Sequence, residues 1–335
     1  MLRYVIRRLG QLLLVVAALS VLLFAWLRAL PGGPVSALLG DRASAESRAK
    51  LAADLGLDQP IPVQYLRFLG RAGTGDFGIS TGVQRGDPAL SIFLQRFPAT
   101  IELAVVALLL AVAAGIPLGY LAARRRGGWL DNTSVVGSLI GVAVPVFFLA
   151  FLLKFVFAVQ LGWLPTSGRQ SADIEATRVT GFFILDGLLT REWDAAWDAA
   201  THLVLPALAL ASIPFAVIFR ITRAAVLDVL DEDYVRTAYS KGLTAAVIRR
   251  RHVLRNALLP VVTIIGLQTG ALLSGAVLTE RVFAYQGVGQ ALALGFERRD
   301  YPVLQMVIIA AAVTYVLVNL VVDLSYALID PRISR

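Results

Sequence analysis

Residues 231–260 read DEDYVRTAYSKGLTAAVIRRRHVLRNALLP, with a long apolar run on either side. The stretch holds three acidic and six basic side chains. In the 335-residue chain as a whole only 16% of residues are charged, 57% are hydrophobic and the mean hydropathy is +0.72. Soluble proteins carry about 25% charged residues. The composition therefore indicates a membrane protein, in which this charged stretch needs an explanation.

The apolar residues fall into runs that are long enough, as helices, to cross a hydrocarbon core of about 30 Å. The first run begins after MLRYVIRR like a signal peptide, but its uncharged part from Leu9 to Leu27 is too long for a cleaved one. We therefore predict an all-α membrane protein with six transmembrane helices, near 9–30, 101–123, 134–161, 202–222, 257–279 and 303–327.

The distribution of charge predicts the orientation of these spans. With a cytoplasmic N-terminus, the inner segments hold sixteen Lys and Arg in 62 residues, and the outer segments hold thirteen in 127. This excess of basic residues inside is what membrane insertion favours. Both termini are then cytoplasmic. The net charge of +8 reports topology rather than nucleic-acid binding. The predicted divisions are a tail and first helix (1–30), an outer loop (31–97) and a five-helix core (98–335) with a cytoplasmic loop at 228–256.

Several kinds of chemistry are excluded by residues that the sequence lacks. There are no cysteines, so thiol catalysis and thiolate metal sites are ruled out. The two histidines, His202 and His252, are predicted at opposite membrane faces. No H-E-x-x-H, G-x-S-x-G or phosphate-binding G-x-x-x-x-G-K-[ST] motif occurs. We predict no catalytic residue, no metal and no bound cofactor.

The charged stretch itself reads as two short helices. Its opening carboxylates suit a helix N-terminus, and Gly242 can end that helix in a left-handed conformation. Val235, Ala238 and Tyr239 form an i, i+3, i+4 apolar patch. Thr244 can cap the second helix. The patch suits a helix seated in a partner's groove; an amphipathic helix lying flat on lipid is the alternative.

Within the predicted spans, a stripe of small residues at Gly266, Gly270 and Ser274 predicts close helix packing, with a substrate-lining face as the alternative. Glu102 and Glu280 are predicted at the outer boundary. At that boundary, the two carboxylates are either simply solvated or bind the amino group of a peptide.

Other polar and helix-breaking residues support further expectations. Lys154 is predicted to reach the outer surface, and Asp323 to pair with Arg220 or Arg223 at the inner mouth. Kinks are expected at four prolines, which are Pro117, Pro145, Pro206 and Pro214. In the outer loop at 163–200, Trp193 and Trp197 share a helix face and predict interfacial anchoring; contact with a partner protein is the alternative.

The order of residues in the charged stretch resembles the coupling motif of the permease subunits of ATP-binding-cassette importers. Arg236, Thr237 and Ala238 stand where that motif has Glu-Ala-Ala, Gly242 is in register, and Leu259-Pro260 follows. The sequences EDYVRTA, KGL and RHVLRNALLPVVT resemble those of permeases in the dipeptide, oligopeptide and nickel branch of this superfamily. LRYVIRRLGQ, LGLDQPIPVQYLRFLG, FPATIELA and DLSYALIDPRI extend the resemblance along nearly the whole chain. RVFAYQGVGQ (residues 281–290) is similar to an outer-loop segment of the family, except that Gln286 stands where a proline is expected.

The resemblance implies the type I importer permease fold, a multi-pass location in the cell membrane and half of a translocation pathway for peptides. It implies as partners a second homologous permease, two ATP-binding subunits that hold ATP and Mg²⁺, and an extracellular substrate-binding protein. The residues implied for ATPase coupling are Asp233, Tyr234, Arg236, Thr237, Ala238, Gly242 and Leu243. The candidates for lining the pathway are Gly266, Gly270, Ser274 and Glu280.

Alternative functions remain open at this point. Permeases of the same branch serve nickel and glutathione-like compounds, so the substrate class is not fixed by the motif. A secondary transporter driven by ions would also be polytopic, but related halves and carboxylates near the midplane are expected there, and the sequence shows neither.

Overall fold

The structure is a computed structural model that describes residues 2–29, 35, 44–54 and 56–329. Within helices, the side chains of Ser274 and Asp323 lie outside the described residues. The described part is helical, and the only strand-like pairing in it is a bridge between Ile79 and Pro88. The helices are α1 (Leu2–Ala29), α2 (Ala45–Asp54), α3 (Ile61–Gly73), α4 (Ala89–Arg124), α5 (Trp129–Ala143), α6 (Val146–Leu153), α7 (Phe183–Thr190), α8 (Trp193–Leu230), α9 (Asp233–Ser240), α10 (Ala245–Val247), α11 (Arg255–Val282), α12 (Val288–Glu297) and α13 (Tyr301–Ile329). Two π-helical segments, Lys154–Gln160 and Ile248–Leu254, continue α6 and α10.

The helices that can cross a membrane match most of the predicted spans. Among the described residues, four helical segments are long and apolar enough: Ala89–Arg124, Trp193–Leu230, Ala245–Leu272 and Tyr301–Val321. A bent pair, Trp129–Ala143 with Val146–Gln160, makes a fifth if it is counted as one span. The apolar part of α1, Leu13–Trp26, is shorter than these. The all-α membrane architecture is confirmed, whereas the count of six spans stays a prediction.

The predicted third span, near 134–161, is broken in the middle. Its two halves meet at 105°. Val144 takes an extended conformation (φ −80°, ψ 123°) immediately before Pro145. A proline disfavours helical geometry in the residue that precedes it, which explains the position of the break. The predicted bend at Pro145 is therefore present, while the helices run without interruption through Pro117, Pro206 and Pro214.

The chain forms two compact units, and neither is a single stretch of sequence. One unit comprises residues 100–285 and 321–333. At its centre is α8, which packs against α5, α6, α7 and α11. Many of the buried residues of α8 are alanines, and such small side chains let neighbouring helices approach closely.

One helix crossing in this unit is unusually close. A Cβ atom on Gly119 of α4 would lie 2.7 Å from the carbonyl oxygen of Phe219 and 2.8 Å from the Cβ of Thr222. One turn earlier, a Cβ on Gly115 would lie 3.0 Å from Ile218. The two glycines thus form the face of α4 on which α8 lies, and a larger residue at Gly119 would push the helices apart.

The other unit comprises the described residues within 1–99 and 286–320. One buried cluster in it joins the start of α4 to α12 and α13, through side chains that include Ile92, Ala291 and Val303. The helix α3 packs on α1, where the hydroxyls of Ser20 and Tyr65 are 2.8 Å apart.

The segment predicted as the first outer loop contains α2 and α3. Gly56, which follows α2, takes φ +64°. Pro62 lies in the first turn of α3, with Pro60 as the N-cap residue.

Candidate functional site

The charged stretch folds as predicted into a helix, a tight turn and a second helical segment. Helix α9 ends in a turn where Gly242 has φ +73° and its N–H donates to the carbonyl of Tyr239 at 3.0 Å. The next N–H, of Leu243, donates to the carbonyl of Ala238 at 3.3 Å. These paired bonds form a Schellman motif, which satisfies carbonyls at the helix end and favours glycine in the left-handed position.

The apolar patch predicted on α9 is divided between the interior and the surface. Val235 and Ala238 are 1% and 4% exposed and pack in a cluster with Val226, Ile248 and Val253. Val235 and Ala238 were expected to present an apolar patch to a partner's groove. This expectation is wrong, because the chain folds back after Gly242 and the following π-helical segment covers both side chains.

The outward face of α9 is more polar than predicted. Tyr239 is 56% exposed, Leu243 in the turn after α9 is 39% exposed, and Asp233, Arg236 and Thr237 are exposed as well. Arg236 makes an exposed ion pair with Asp233, at 3.4 Å, and pairs of this kind contribute about 0–1 kcal/mol. The coupling residues implied by the resemblance that remain on the surface are Asp233, Tyr234, Arg236, Thr237, Gly242 and Leu243.

Helix α9 is also held by a hydrogen bond to the next span. The amide Nδ2 of Asn256, in α11, donates to the hydroxyl of Tyr234 at 2.8 Å. The rings of Tyr234 and His252 lie 6.5 Å apart. With the packing of Ala238 and Ala257 in one buried cluster, these interactions join α9 to the start of α11.

The second helical segment begins at Thr244, as predicted, but the residue does not cap in the predicted way. Thr244 has the extended backbone of an N-cap residue (φ −64°, ψ 147°), and its side chain makes no capping hydrogen bond. The arginines that follow, Arg249, Arg250 and Arg251, are exposed.

A bidentate ion pair that the sequence reasoning missed lies at the predicted cytoplasmic end of α8. Arg223 donates from Nε and Nη2 to the two carboxylate oxygens of Asp131, at 2.6 and 2.8 Å. Asp131, in the first turn of α5, also accepts from the backbone N–H of Gly127 at 3.0 Å. The predicted partner of Arg223, Asp323, has a side chain outside the described residues. The one signal in the sequence was that Asp131 is the only acidic residue in the basic segment 123–133.

The candidate pathway residues have different surroundings. Gly266 and Gly270 are buried in α11, which packs on α8 and α6. Glu280 is fully buried, and its Oε1 accepts a hydrogen bond of 2.7 Å from the hydroxyl of Thr100. The expected interfacial solvation of Glu280 is therefore wrong, since its carboxylate is enclosed by protein. Its role in a pathway stays a prediction.

Glu102 is likewise buried, in a polar cluster. Its Oε2 accepts from Arg169 at 2.9 Å, and its Oε1 accepts from the backbone N–H of Ile184 at 3.0 Å. The hydroxyl of Tyr285 lies 3.4 Å from Oε2. Burial raises the pKa of the Tyr285 phenol above its usual range, and the Glu102 carboxylate adds to that shift, so the phenol stays protonated and can donate. Solvation of Glu102 at the interface is thus also wrong.

Lys154 and the two tryptophans were predicted at the outer boundary. The ammonium of Lys154 donates to the carbonyl oxygen of Val282 at 2.9 Å, at the end of α11 that the charge distribution predicts outside, so its position at the outer boundary stays a prediction. Trp193 and Trp197, in the first turns of α8, are 63% and 74% exposed. Their anchoring at the interface stays a prediction.

No group of His, Asp or Glu side chains in the part of the chain that the structure describes could hold a metal ion. The residues singled out above therefore form two kinds of site: a surface helix with a packed underside, and polar clusters inside the helical bundle.

Comparison with known proteins identifies the family to which the chain belongs. Residues 115–335 match the family model described as "Binding-protein-dependent transport system inner membrane component", and residues 1–104 match the N-terminal model of the same component. A crystal structure of an amino acid ABC transporter with histidines aligns with 72% of this chain and 94% of its own, at 17% identity and a TM-score of 0.49.

Relatives with assigned roles match over the full length. The chain is 44% identical over 336 residues to the di/tripeptide transport system permease protein DppB of Pseudomonas aeruginosa, covering 100% of this chain and 99% of the relative. It is 43% identical over 339 residues to the dipeptide transport system permease protein DppB of Escherichia coli K12, with the same coverage. It is 40% identical to the corresponding protein of Alkalihalophilus pseudofirmus, covering 100% of both chains. The chain therefore belongs to the family of inner membrane components of binding-protein-dependent transport systems.

Proposed function

We propose that this multi-pass protein of the cell membrane is a permease subunit that imports di- or oligopeptides. The observation that carries the substrate class is the identity of 40–44% over the full chain to permeases named for dipeptides and di/tripeptides. The chain forms half of the translocation pathway. A second, homologous permease forms the other half, and an extracellular binding protein delivers the peptide.

The driving force comes from two partner subunits that bind and hydrolyse ATP. The sequence has no phosphate-binding loop of its own. In this proposal α9 docks in a groove of an ATP-binding subunit with its exposed face, on which Tyr239 and Leu243 are the apolar contacts and Arg236 and Thr237 lie alongside.

The packed underside of α9 gives the docking helix its stiffness. Ala238 is enclosed by the chain's own helices, and Tyr234 is bonded to Asn256. When the ATP-binding subunit displaces α9, these existing contacts transmit the movement to α11. The buried Gly266 and Gly270 lie farther along that helix.

The test of the substrate class is ATPase stimulation in the reconstituted complex. Binding protein loaded with dipeptides, tripeptides, glutathione or nickel is added in turn at equal concentration. We expect stimulation by the loaded di- and tripeptide forms. If only the binding protein loaded with nickel or glutathione stimulates the ATPase, the peptide assignment is wrong, while the assignment to the permease family is unaffected.

A further inference from the structure

A polar pocket on the unit formed by residues 1–99 and 286–320 has no role in the function described so far. It opens between the turn at residues 80–86 and the end of α12, and it is lined by Thr81, Gly82, Val83, Arg85 and Arg298. Both parts of the chain belong to the segments that the charge distribution predicts outside the cell, 31–97 and 281–302. None of the five lining residues carries a carboxylate.

The wall of the pocket is a rigid turn built around a buried carboxylate. Asp300 is fully buried. Its Oδ2 accepts from the hydroxyl of Ser80 and from the backbone N–H groups of Gly82 and Val83, the last two at 2.9 and 2.8 Å. The base of the turn is closed by the bridge between Ile79 and Pro88. The pocket is thus formed before any ligand arrives, which lowers the cost of binding.

Two arginines are oriented by the backbone of the same turn. Arg85 donates from Nε to the carbonyl of Thr81 at 3.1 Å, and Arg298 donates from Nη1 to the carbonyl of Gly82 at 2.8 Å. Each guanidinium has five donors. Those two bonds are the hydrogen bonds that the two guanidinium groups make within the described residues, so both retain donors for an anion.

The absence of a side chain at Gly82 allows Arg298 to pack closely against the turn. A Cβ atom on Gly82 would lie 2.7 Å from the Cβ of Arg298 and 3.2 Å from its carbonyl oxygen. Any larger residue at this position would displace Arg298 without changing the charge of the pocket. The site can therefore be altered in shape and in charge independently.

We propose that this pocket binds an acidic side chain on the surface of the extracellular substrate-binding protein, which docks there before handing over its peptide. The inference rests on the proposed function. The five lining residues carry two guanidinium groups and no carboxylate, and the Asp300 carboxylate behind the turn accepts from Ser80, Gly82 and Val83. The lining therefore favours a carboxylate, which arginine can bind in bidentate fashion.

The strength expected of such contacts favours a protein as the occupant. Exposed ion pairs contribute about 0.2–1 kcal/mol each, which is too little to retain a free peptide or a single ion. Within a larger protein interface, the same charges mainly steer association and fix orientation. The pocket therefore acts on the rate at which the binding protein docks.

Association kinetics of the loaded binding protein with the complete transporter, in nanodiscs of phosphatidylcholine, test the proposal. Arg85→Ala and Arg298→Ala should each lower the association rate constant about 3- to 10-fold at low ionic strength, with the difference lost at high salt. Gly82→Ala should also slow association. Arg299→Ala, which removes an equal charge from the adjacent exposed residue outside the lining, is the matched control and should have a smaller effect.

Several results would contradict the proposal. It fails if the wild type binds and is stimulated normally while Arg85→Ala and Arg298→Ala associate as fast as Arg299→Ala. If the variants lose bound phosphatidylglycerol and associate with the binding protein at the wild-type rate, the occupant is a lipid headgroup and the proposal fails. If they change only the peptide concentration that half-saturates transport, the occupant is the peptide and the proposal also fails. If no binding protein stimulates even the wild type, the proposed function itself is wrong.

Discussion

Asp131 and Arg223 are 92 residues apart in the chain and are joined by two hydrogen bonds of 2.6 and 2.8 Å. The pair links the first turn of α5 to α8 within one helical turn of Val226, which belongs to the cluster that encloses Val235 and Ala238. The carboxylate is nearly inaccessible, with its side chain 3% exposed, whereas the guanidinium is 27% exposed. The ion pair therefore supports α8, the helix against which α9 packs.

Breaking this pair from one side should destabilise the permease. Arg223→Ala leaves a buried carboxylate without its partner, for which a loss of roughly 3–5 kcal/mol is expected at full burial, and somewhat less here because Arg223 is partly exposed. Thermal unfolding of the purified protein in detergent measures the change. Arg223→Lys, which keeps the charge, should recover part of the loss; equal stability of Arg223→Ala and the wild type would contradict the assignment.

The division of α9 into a buried and an exposed side predicts opposite phenotypes for neighbouring residues. Ala238→Arg places a charge in a packed cluster and should lower the amount of folded protein in the membrane. Tyr239→Arg changes the exposed face and should leave folding intact while reducing co-purification of the ATP-binding subunits. Expression with fluorescence-detected gel filtration separates the two effects. Normal folding of Ala238→Arg would show that α9 is not packed as described.

The turn at Gly242 should matter more than the arginines behind it. Gly242→Val forces a β-branched residue into φ +73°, at a cost on the order of 1–3 kcal/mol, and should uncouple ATP hydrolysis from transport. Gly242→Asn, which tolerates the left-handed conformation better, should be milder. Arg250→Ala removes an exposed charge and should be nearly silent. ATPase stimulation by the loaded binding protein is the readout, and the reverse order of effects would favour a helix that lies on lipid.

The predicted orientation can be tested by chemical labelling of single cysteines, because the natural chain has none. Cysteines at Ser47 and Ala172, both exposed, should react with an impermeant maleimide on intact cells, after permeabilisation of an outer membrane if there is one. A cysteine at Thr244 should react only once the inner membrane is opened. Labelling of Thr244→Cys on intact cells would place the docking surface on the wrong side.

Much of this fold was predictable because lipid imposes simple rules on sequence. The positions of four spans follow from apolar length alone, and the turn at Gly242 follows from the conformational freedom of glycine. The break before Pro145 was predictable as a bend, but its angle of 105° depends on packing that a single segment does not encode.

The details of the site were less predictable, for a physical reason in each case. Helical periodicity placed Val235, Ala238 and Tyr239 on one side of α9, but it could not tell which neighbours cover that side. The fold-back after Gly242 buries the first two and leaves Tyr239 outside. The partners of Arg223 and Lys154 are distant in sequence, and such contacts between helices follow from tertiary packing rather than from local spacing.

Uptake of a labelled dipeptide into proteoliposomes tests the central claim most directly. The vesicles contain this chain, its partner permease and the two ATP-binding subunits, with ATP trapped inside and the binding protein outside. We predict accumulation that requires both ATP and the binding protein, persists when a protonophore collapses ion gradients, and disappears when the phosphate-binding lysine of the ATP-binding subunits is replaced. Accumulation driven by a proton or sodium gradient in the absence of ATP would contradict it.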